Sequence, residues 1–226
     1  MTTNESDFLN YLKTGDMDFT GKYDTPTIKG LKLKSLNKAE LLGFNYATNP
    51  QNMKEHGNSM IHFFLPDSNI ERVWNRPDDY IPVFNQYKAL IQPDFSQYVG
   101  MPKAMLIWQH YRRMWLARYY QDRGLRVIAA PCWSDEESFE YCFDGMPKNS
   151  CLCISSVGCI QNPNVRNRFM LGLEETIKRL SPAQIILYGC INDAIRNMIS
   201  GIPYIHMYSE MKVRMDRYKA IQKNSQ

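Results

Sequence analysis

Six short apolar runs, each followed by a longer amphipathic stretch, occupy the chain from residue 60 onward. This alternation is typical of βα units, and successive βα units build a parallel sheet. The predicted strands are MIHFFL (60–65), ALIQPDF (89–95), RVIAAPCW (126–133), CLCISSVG (151–158), QIILYG (184–189) and PYIHMYS (203–209). The predicted helices lie near 71–87, 102–123, 135–143, 165–180, 191–199 and 210–223. We therefore expect an α/β fold with a mostly parallel sheet, either doubly wound or curled toward an incomplete barrel.

The segment before residue 60 differs in residue composition and pattern. Residues 1–59 are polar and uneven, with turn signals at Thr25-Pro26 and Asn49-Pro50 and one short helical candidate at 36–42. A chain of 226 residues with 44% hydrophobic residues is long enough to bury one substantial core. We expect an N-terminal lead-in or cap over 1–59 and a single α/β domain over 60–226.

Charge and hydropathy limit the partners. The chain has 27 basic and 23 acidic residues, a net charge of +4, which permits anionic ligands but is too weak to demand nucleic acid. No apolar run approaches the roughly 20 residues of a membrane span, and MTTNESDFLNYLK lacks the pattern of a signal peptide. We expect a cytoplasmic protein without a membrane partner. We also expect reduced thiols at all its cysteines, which are Cys132, Cys142, Cys151, Cys153, Cys159 and Cys190.

Carboxylates recur just after the predicted strands. Ligands of parallel α/β sheets bind beyond the C-terminal ends of the strands, so these positions are the candidates for function. Asp67, Asp94 and Asp135 stand there. Together they could hold a divalent cation such as Mg²⁺, or act as a catalytic acid and base. Each one alone is equally typical of a turn or a helix start.

Small and aromatic residues occupy the same positions. An aromatic ring at a strand end can stack on a planar ligand, and the backbone of SSVG (155–158) can approach a phosphate group. The predicted ligand-binding residues are Ser96, Tyr98, Trp133, Ser134, Ser155, Ser156, Gly158, Tyr188 and Gly189. The alternatives stay open: Trp133 also fits core packing, and Ser134 also fits an N-cap.

Established short motifs are missing from the sequence. It contains no Walker A loop, no G-x-G-x-x-G and no H-E-x-x-H. The spacing C-x-C over Cys151 and Cys153 differs from the C-x2-C of a metal knuckle, which favours core thiols. In the helix at 102–123, Arg112 falls within an apolar stripe and should find a carboxylate or carbonyl partner, whereas Arg113 points away from that stripe.

The ordered motifs HFFLPD, ERVWNRP, PDFSQY, W-x2-YR-x2-W-x-ARYYQ, WSDEESFEYCFDGMP, SSVGC and the YG at 188–189 run from His62 to Gly189. This series resembles DUF4417, a family of unknown function found in bacteria, their plasmids and their phages. The resemblance implies a prokaryotic or phage cytoplasmic protein. It implies no particular chemistry and supplies no catalytic residues.

Three functions remain open. The first is binding of a small anionic ligand, a nucleotide or a nucleotide-derived signal, at the C-terminal ends of the strands. The second is a metal-dependent hydrolase or transferase acting on a nucleotide or a phosphorylated metabolite. A nucleic-acid-binding protein is third and less favoured, because the basic tail MKVRMDRYKAIQK is more typical of a solvated helix. The sequence leaves open whether the protein is an enzyme and which oligomeric state it adopts.

Overall fold

The computed structural model describes residues 7–36, 40–209, 211–213, 215 and 218. The strands are β1 (Phe19–Thr20), β2 (Thr25–Pro26), β3 (Leu41–Gly43), β4 (Met60–His62), β5 (Ala89–Ile91), β6 (Val127–Ile128), β7 (Cys151–Ser155), β8 (Gln184–Tyr188) and β9 (Tyr204–Met207). The α-helices are α1 (Phe44–Ala47), α2 (Pro50–Glu55), α3 (Asp67–Asn75), α4 (Ile81–Phe84), α5 (Lys103–Asp122), α6 (Pro163–Leu180) and α7 (Asp193–Ile199). Short 3₁₀ turns span Tyr11–Lys13, Pro77–Tyr80 and Glu136–Glu140. The helix predicted near 210–223 falls largely outside the described residues.

The main sheet is parallel, and its strands follow one another in chain order. Strands β3 to β6 pair consecutively, and so do β7 to β9. A parallel bridge between Ala129 and Leu152 connects the two groups, and Cys153 N donates to Ala129 O at 2.8 Å. Within the described residues, seven parallel strands therefore run in the order β3 to β9, as expected for successive βα units.

This sheet is strongly curled. Strands β4 and β8 are four positions apart, which would separate them by roughly 19 Å in a flat sheet. The ring centroids of His62 on β4 and Tyr188 on β8 lie only 4.6 Å apart. The unbroken chain order and this contact identify an incomplete parallel barrel, one of the two predicted architectures.

Alternate residues of the strands fill the interior of the barrel. They form one apolar cluster whose buried members are Leu33, Met60, Ala89, Ile91, Ile128, Ala130, Cys151, Cys153 and Ile186. Two further clusters lie between the strands and the outer helices, the first around α3 and α5 and the second around α6 and α7. Cys151 and Cys153 are interior packing residues, as the sequence favoured.

Helix α5 is buried on nearly all sides, which a one-sided apolar stripe did not predict. On one side Arg118 Nη1 donates to Thr27 O at 3.0 Å, and Trp115 Nε1 donates to Thr14 Oγ1 at 3.2 Å. On another side Arg113 faces the sheet and is 0% exposed. Arg113, predicted to point away from the apolar stripe, is nevertheless buried, because the N-terminal segment and the sheet enclose the helix together.

The segment 31–36 crosses the N-terminal ends of the strands. Cys151 N donates to Leu31 O at 2.7 Å. The amide of Gln184 bonds both backbone groups of Leu33, accepting from N at 2.8 Å and donating to O at 2.9 Å. Leu33 is thereby held against the interior cluster, and it closes this end of the barrel.

Three local expectations need correction. Of the helix suggested at 36–42, residues 37–39 lie outside the described part of the chain, and Leu41–Gly43 is the edge strand β3, because pairing with β4 decides its conformation. The long helix at 71–87 is instead α3, a 3₁₀ turn and α4, since the prolines Pro77 and Pro82 lack the N–H that a continuous helix needs. The helix at 135–143 is a 3₁₀ turn.

The division of the chain at residue 59 stays a prediction, with β3 of the first part belonging to the same sheet as β4. In the part of the chain that the structure describes, no helix combines the length and apolarity needed to cross a membrane.

Candidate functional site

The predicted site residues lie at the C-terminal edge of the curled sheet. Asp67 opens α3 after β4, and Asp94 follows β5 by three residues. Ser155 ends β7 and Tyr188 ends β8. Parallel pairing brings these strand ends to one edge, so the fold gathers residues that lie far apart in the sequence.

An ion pair between Asp94 and Arg113 is the main charged feature of this edge. Asp94 Oδ1 lies 3.0 Å from Arg113 Nη2, and the Asp94 side chain is 21% exposed. The same Nη2 donates to the carbonyl oxygen of Ala130. The other two nitrogens of this fully buried guanidinium, Nε and Nη1, have no hydrogen-bond partner among the described residues. Burying such donors unpaired is costly, so Arg113 is held in an incompletely satisfied position.

The protonation of Asp94 reflects this environment. Burial raises the pKa of the Asp94 carboxyl above its usual range, and the nearby Asp67 carboxylate raises it further. Arg113 and a hydrogen bond from the Cys132 thiol oppose that rise. Burial and the Asp94 charge also raise the pKa of Cys132, so this thiol is held protonated beside the carboxylate. Perturbed pKa values cluster at functional sites but also occur in structural ion pairs, so the shift makes Asp94 a candidate site residue.

Asp67 is engaged in local hydrogen bonds. Its Oδ1 accepts from the Ser96 backbone N at 3.0 Å and from Ser96 Oγ at 2.8 Å. Its Oδ2 accepts from Gln109 Nε2 at 3.2 Å. These bonds tie the loop after β5 to the start of α3. Asp67 and Ser96, predicted separately, therefore form one unit.

Arg112 differs sharply from its neighbour Arg113. Its Nη1 donates to both carboxylate oxygens of Glu71, at 2.8 and 2.9 Å, and Nε donates to Gln109 Oε1 at 3.1 Å. The guanidinium carbon lies 3.8 Å from the centroid of the Phe95 ring. The expected partner of Arg112 is therefore present as a carboxylate, and its role is structural.

The turns after β7 and β8 are packed on one another. Ser156 Oγ donates to Cys190 O at 2.5 Å, and Gly189 has a φ of +116°. A Cβ at Gly189 would lie 2.6 Å from Ser156 Oγ, so glycine is needed there. Gly158 also has positive φ, at +76°, but a Cβ there would meet no atom within 4 Å. The backbone at Gly158 is therefore open to a ligand, whereas that at Gly189 is enclosed.

Aromatic rings cover the barrel interior at the same edge. Phe64 stacks on Tyr188 with centroids 5.3 Å apart, and His62 contacts both rings. Tyr188 is 5% exposed, whereas Phe64 is half-buried and Tyr98 is 65% exposed. Phe64 and Tyr98 thus present more ring surface to a ligand than the predicted Tyr188.

The WSDE stretch takes structural roles, but the N-cap is Asp135 and not Ser134, for which the sequence favoured it. Trp133 Nε1 donates to Arg168 O at 3.1 Å, and its ring lies so close to α6 that a Cβ at Gly172 would come within 2.0 Å of it. Asp135 is the N-cap of the following 3₁₀ turn and accepts from Ser138 N at 3.3 Å. Ser134 Oγ donates to Asp135 Oδ1 at 3.3 Å. Their proposed roles toward a ligand stay predictions.

The carboxylates do not converge as a metal site. Within residues 7–36 and 40–209, no group of three or more His, Cys, Asp or Glu side chains is arranged to hold a metal ion. Asp67 is bonded to Ser96 and Gln109, and Asp94 is paired with Arg113. The described thiols, including all six cysteines, are unbridged.

Two concavities lie away from this edge. A groove of about 800 Å³ runs between the 3₁₀ turn Glu136–Glu140 and α6, and it is lined by both acidic and basic side chains. A cavity of about 420 Å³ lies at the N-terminal ends of β5 and β6.

Fold and site together define an α/β protein with an incomplete parallel barrel and a buried charge pair at the strand ends. The chain belongs to the family described as "Domain of unknown function (DUF4417)", whose model matches residues 17–208. This match begins well before the predicted start of the resemblance at His62. It therefore includes β1, β2 and β3.

Two relatives are phage proteins. The chain is 38% identical over 129 residues to the "Gene 1 protein" of Mycobacterium phage L5, covering 57% of this chain and 56% of that protein. It is 36% identical over 129 residues to the "Gene 1 protein" of Mycobacterium phage D29, covering 57% and 48%. The match thus spans about half the length of these relatives. No solved structure matches the chain.

Sequence reasoning missed two contributors to this edge. Arg113 could have been found from the apolar residues on every side of α5, such as Leu116, Ala117 and Tyr120, which indicate a helix buried all round. Phe64 alternates with Met60 and His62 along the strand direction, and this period of two predicts a common interior face.

Proposed function

We propose that the protein binds a small anionic, ring-containing ligand, a nucleotide or a nucleotide-derived signal, at the C-terminal edge of the barrel. The observation that carries the proposal is the Asp94–Arg113 pair, with two guanidinium nitrogens lacking partners. The proposal includes the cytoplasmic location that the sequence predicts. It concerns this chain, and the names of its phage relatives specify no ligand.

The chemistry of the edge suits the parts of a nucleotide. Asp94, reached from solvent, can accept hydrogen bonds from ribose hydroxyls or from a base edge. Phe64 and Tyr98 offer ring faces for stacking. The open backbone at Gly158 can approach phosphate oxygens. Arg113 supplies positive potential from beneath Asp94 and holds that carboxylate in place.

A second candidate function, hydrolysis or group transfer on the same kind of substrate, is favoured by the raised pKa of Asp94. Such a carboxyl is suited to general acid or base catalysis. Nothing in the bonding of Asp67 supplies an obvious second catalytic group, because its oxygens are occupied by Ser96 and Gln109. Binding is therefore the primary proposal.

Equilibrium dialysis against a mixture of ribonucleoside mono-, di- and triphosphates, with and without Mg²⁺, tests both candidates. We expect the wild type to retain at least one nucleotide and to return it chemically intact. Asp94→Asn should weaken retention by about 1–3 kcal/mol, the cost of altering one charged hydrogen-bond partner. Asp79→Asn, an equal neutralisation on the exposed 3₁₀ turn after α3, serves as the control.

Chromatography of the dialysed nucleotides separates the outcomes. Conversion by the wild type that is about 100-fold slower in Asp94→Asn would establish the enzymatic function instead. Retention that is the same in Asp94→Asn and the wild type would remove Asp94 from the site. Retention of no nucleotide would refute the proposed ligand class.

A further inference from the structure

We propose that the N-terminal end of the barrel carries a second binding site, for a small phosphate-bearing anion, formed by Lys34, Lys88 and Arg126 around a cavity of about 420 Å³. This end is opposite to the edge that carries Asp94. The inference does not rest on the proposed function.

Sheet pairing places two of the cations at the starts of neighbouring strands. Lys88 directly precedes β5 and Arg126 directly precedes β6. These strands are neighbours, with Leu90 opposite Val127, and Leu90 N donates to Arg126 O at 2.8 Å. Because parallel strands begin at the same edge, both side chains emerge at the N-terminal end of the barrel.

The third cation comes from the segment that closes this end. Leu33 is fixed by two hydrogen bonds to the Gln184 amide, so its neighbours Lys34 and Ser35 are held across the strand starts. Leu33, which is 5% exposed, supplies an apolar wall. The cavity is therefore built from two strand starts and one crossing segment that is anchored at Leu33.

The charge of this cavity is uncompensated within the described residues. Its lining contains Lys34, Lys88 and Arg126 together with Leu33 and Ser35, and no carboxylate. None of the three cations forms an ion pair with another described residue. The nearby Glu40 bonds to Ser59 Oγ at 3.1 Å. Three like charges around one space repel one another, and an anion relieves that repulsion.

A phosphate group fits this arrangement. Arg126 can donate two parallel hydrogen bonds, while the two lysines act as point charges and Ser35 adds a hydroxyl donor. The volume lies within the usual range for small-ligand pockets, roughly 300–1,000 Å³. The size and the apolar wall favour a small phosphate compound over a nucleic-acid backbone, which extends along an open surface.

Isothermal titration with inorganic pyrophosphate tests this site in the intact chain. We expect a dissociation constant below about 1 mM, and a loss of at least about tenfold in affinity in Lys88→Gln and in Arg126→Gln. Lys103→Gln is the charge-matched control at the start of α5, and it should bind as the wild type. Circular dichroism confirms that each variant is folded.

A second measurement uses only the wild type and locates the anion directly. Amine-reactive modification followed by peptide mass spectrometry should show Lys34 and Lys88 protected by pyrophosphate, with Lys103 modified equally in both samples. Absence of binding, unchanged affinity in both variants, or protection of neither lysine would each overturn the proposal. Binding of a single-stranded oligonucleotide without binding of pyrophosphate would also overturn it, in favour of nucleic acid.

The outcomes for the two ends are separable. If Asp94→Asn binds pyrophosphate normally while Lys88→Gln does not, the second site stands whatever the nucleotide dialysis shows. If both Lys88→Gln and the wild type retain nucleotide equally, the first site is independent of the second.

Discussion

The two halves of the curled sheet contribute different kinds of chemical group to its C-terminal edge. The half from β3 to β6 supplies ionisable side chains: Asp67, which is bonded to Ser96, and the ion pair of Asp94 and Arg113. The half from β7 to β9 supplies turns, in which Ser156 and Gly189 pack closely. One half can therefore tune charge and protonation, while the other offers backbone shape, and the site proposed above needs both.

The seam between the halves, where the β6 segment meets β7, is narrow. It consists of one bridge between β6 and β7, and side chains reinforce it. Arg113 donates to Ala130 O beside the seam, and Trp133 reaches from the end of β6 to Arg168 O on α6. Trp133 thus joins the halves mechanically, which accounts for its position better than ligand stacking does.

A substitution that disrupts the packed turns after β7 and β8 should give the largest loss of stability. In Gly189→Ala, the new Cβ combines a backbone conformation that L-residues rarely adopt with a contact of 2.6 Å to Ser156 Oγ. Strain and overpacking together should lower the free energy of unfolding by about 3 kcal/mol. Urea denaturation measures the change.

Gly201→Ala is the control for that substitution. Gly201 has no positive φ, and a Cβ there meets no atom within 4 Å, so the change should stay within about 0.5 kcal/mol. Equal stability of Gly189→Ala and the wild type would show that the turns after β7 and β8 move apart easily and are not rigid.

In the half from β3 to β6, substitutions of the adjacent arginines Arg112 and Arg113 should destabilise the protein by different amounts. Arg112→Met removes the hydrogen bonds from Nη1 to both carboxylate oxygens of Glu71 and the bonds to Gln109. We expect a loss of about 2–3 kcal/mol, less than for a fully buried pair because Glu71 is partly exposed. Arg113→Met removes fewer bonds and also the cost of two unpaired nitrogens. The Asp94 carboxyl that loses its partner is 21% exposed and, without Arg113, takes up a proton more readily, so we expect a smaller loss of about 1 kcal/mol.

Thermal and urea unfolding of the two variants, side by side, measures this difference. The matched substitution on neighbouring residues controls for side-chain volume and helix propensity. If Arg113→Met proves as destabilising as Arg112→Met, then Arg113 is a structural residue like its neighbour, and the distinction between them is lost.

These contrasts also show what the sequence could reveal. The six central strands were predictable because apolar runs and turn residues are local signals, and Asp67 and Asp94 followed from their positions after strands. Strand β3 could not be predicted, since its three residues become a strand only by pairing with β4. Arg113 was missed because its burial depends on segments distant in sequence that enclose α5. Burial and Arg113 together set the pKa of Asp94, which is therefore a tertiary property.

The smallest expected effect concerns the pH dependence contributed by Asp94. Its pKa in the folded protein is raised above the usual 3.8, chiefly by burial. Between these two pKa values the folded state binds more protons than the unfolded state, so stability falls as the pH rises through that interval. Asp94→Asn cannot titrate. The difference in unfolding free energy between wild type and Asp94→Asn should therefore decline as the pH rises above 3.8, and it should level off above the pKa of Asp94 in the folded protein.

Urea denaturation at a series of pH values, with Asp79→Asn as the control, measures this decline. In an Arg113→Met background the decline should extend to higher pH, because Arg113 normally lowers the pKa of Asp94. A difference that instead rises with pH would mean that Arg113 outweighs burial and that Asp94 has a lowered pKa. Asp94 would then be a permanently charged partner of Arg113, suited to holding a ligand but not to exchanging a proton with it, and the hydrolase alternative would lose its support.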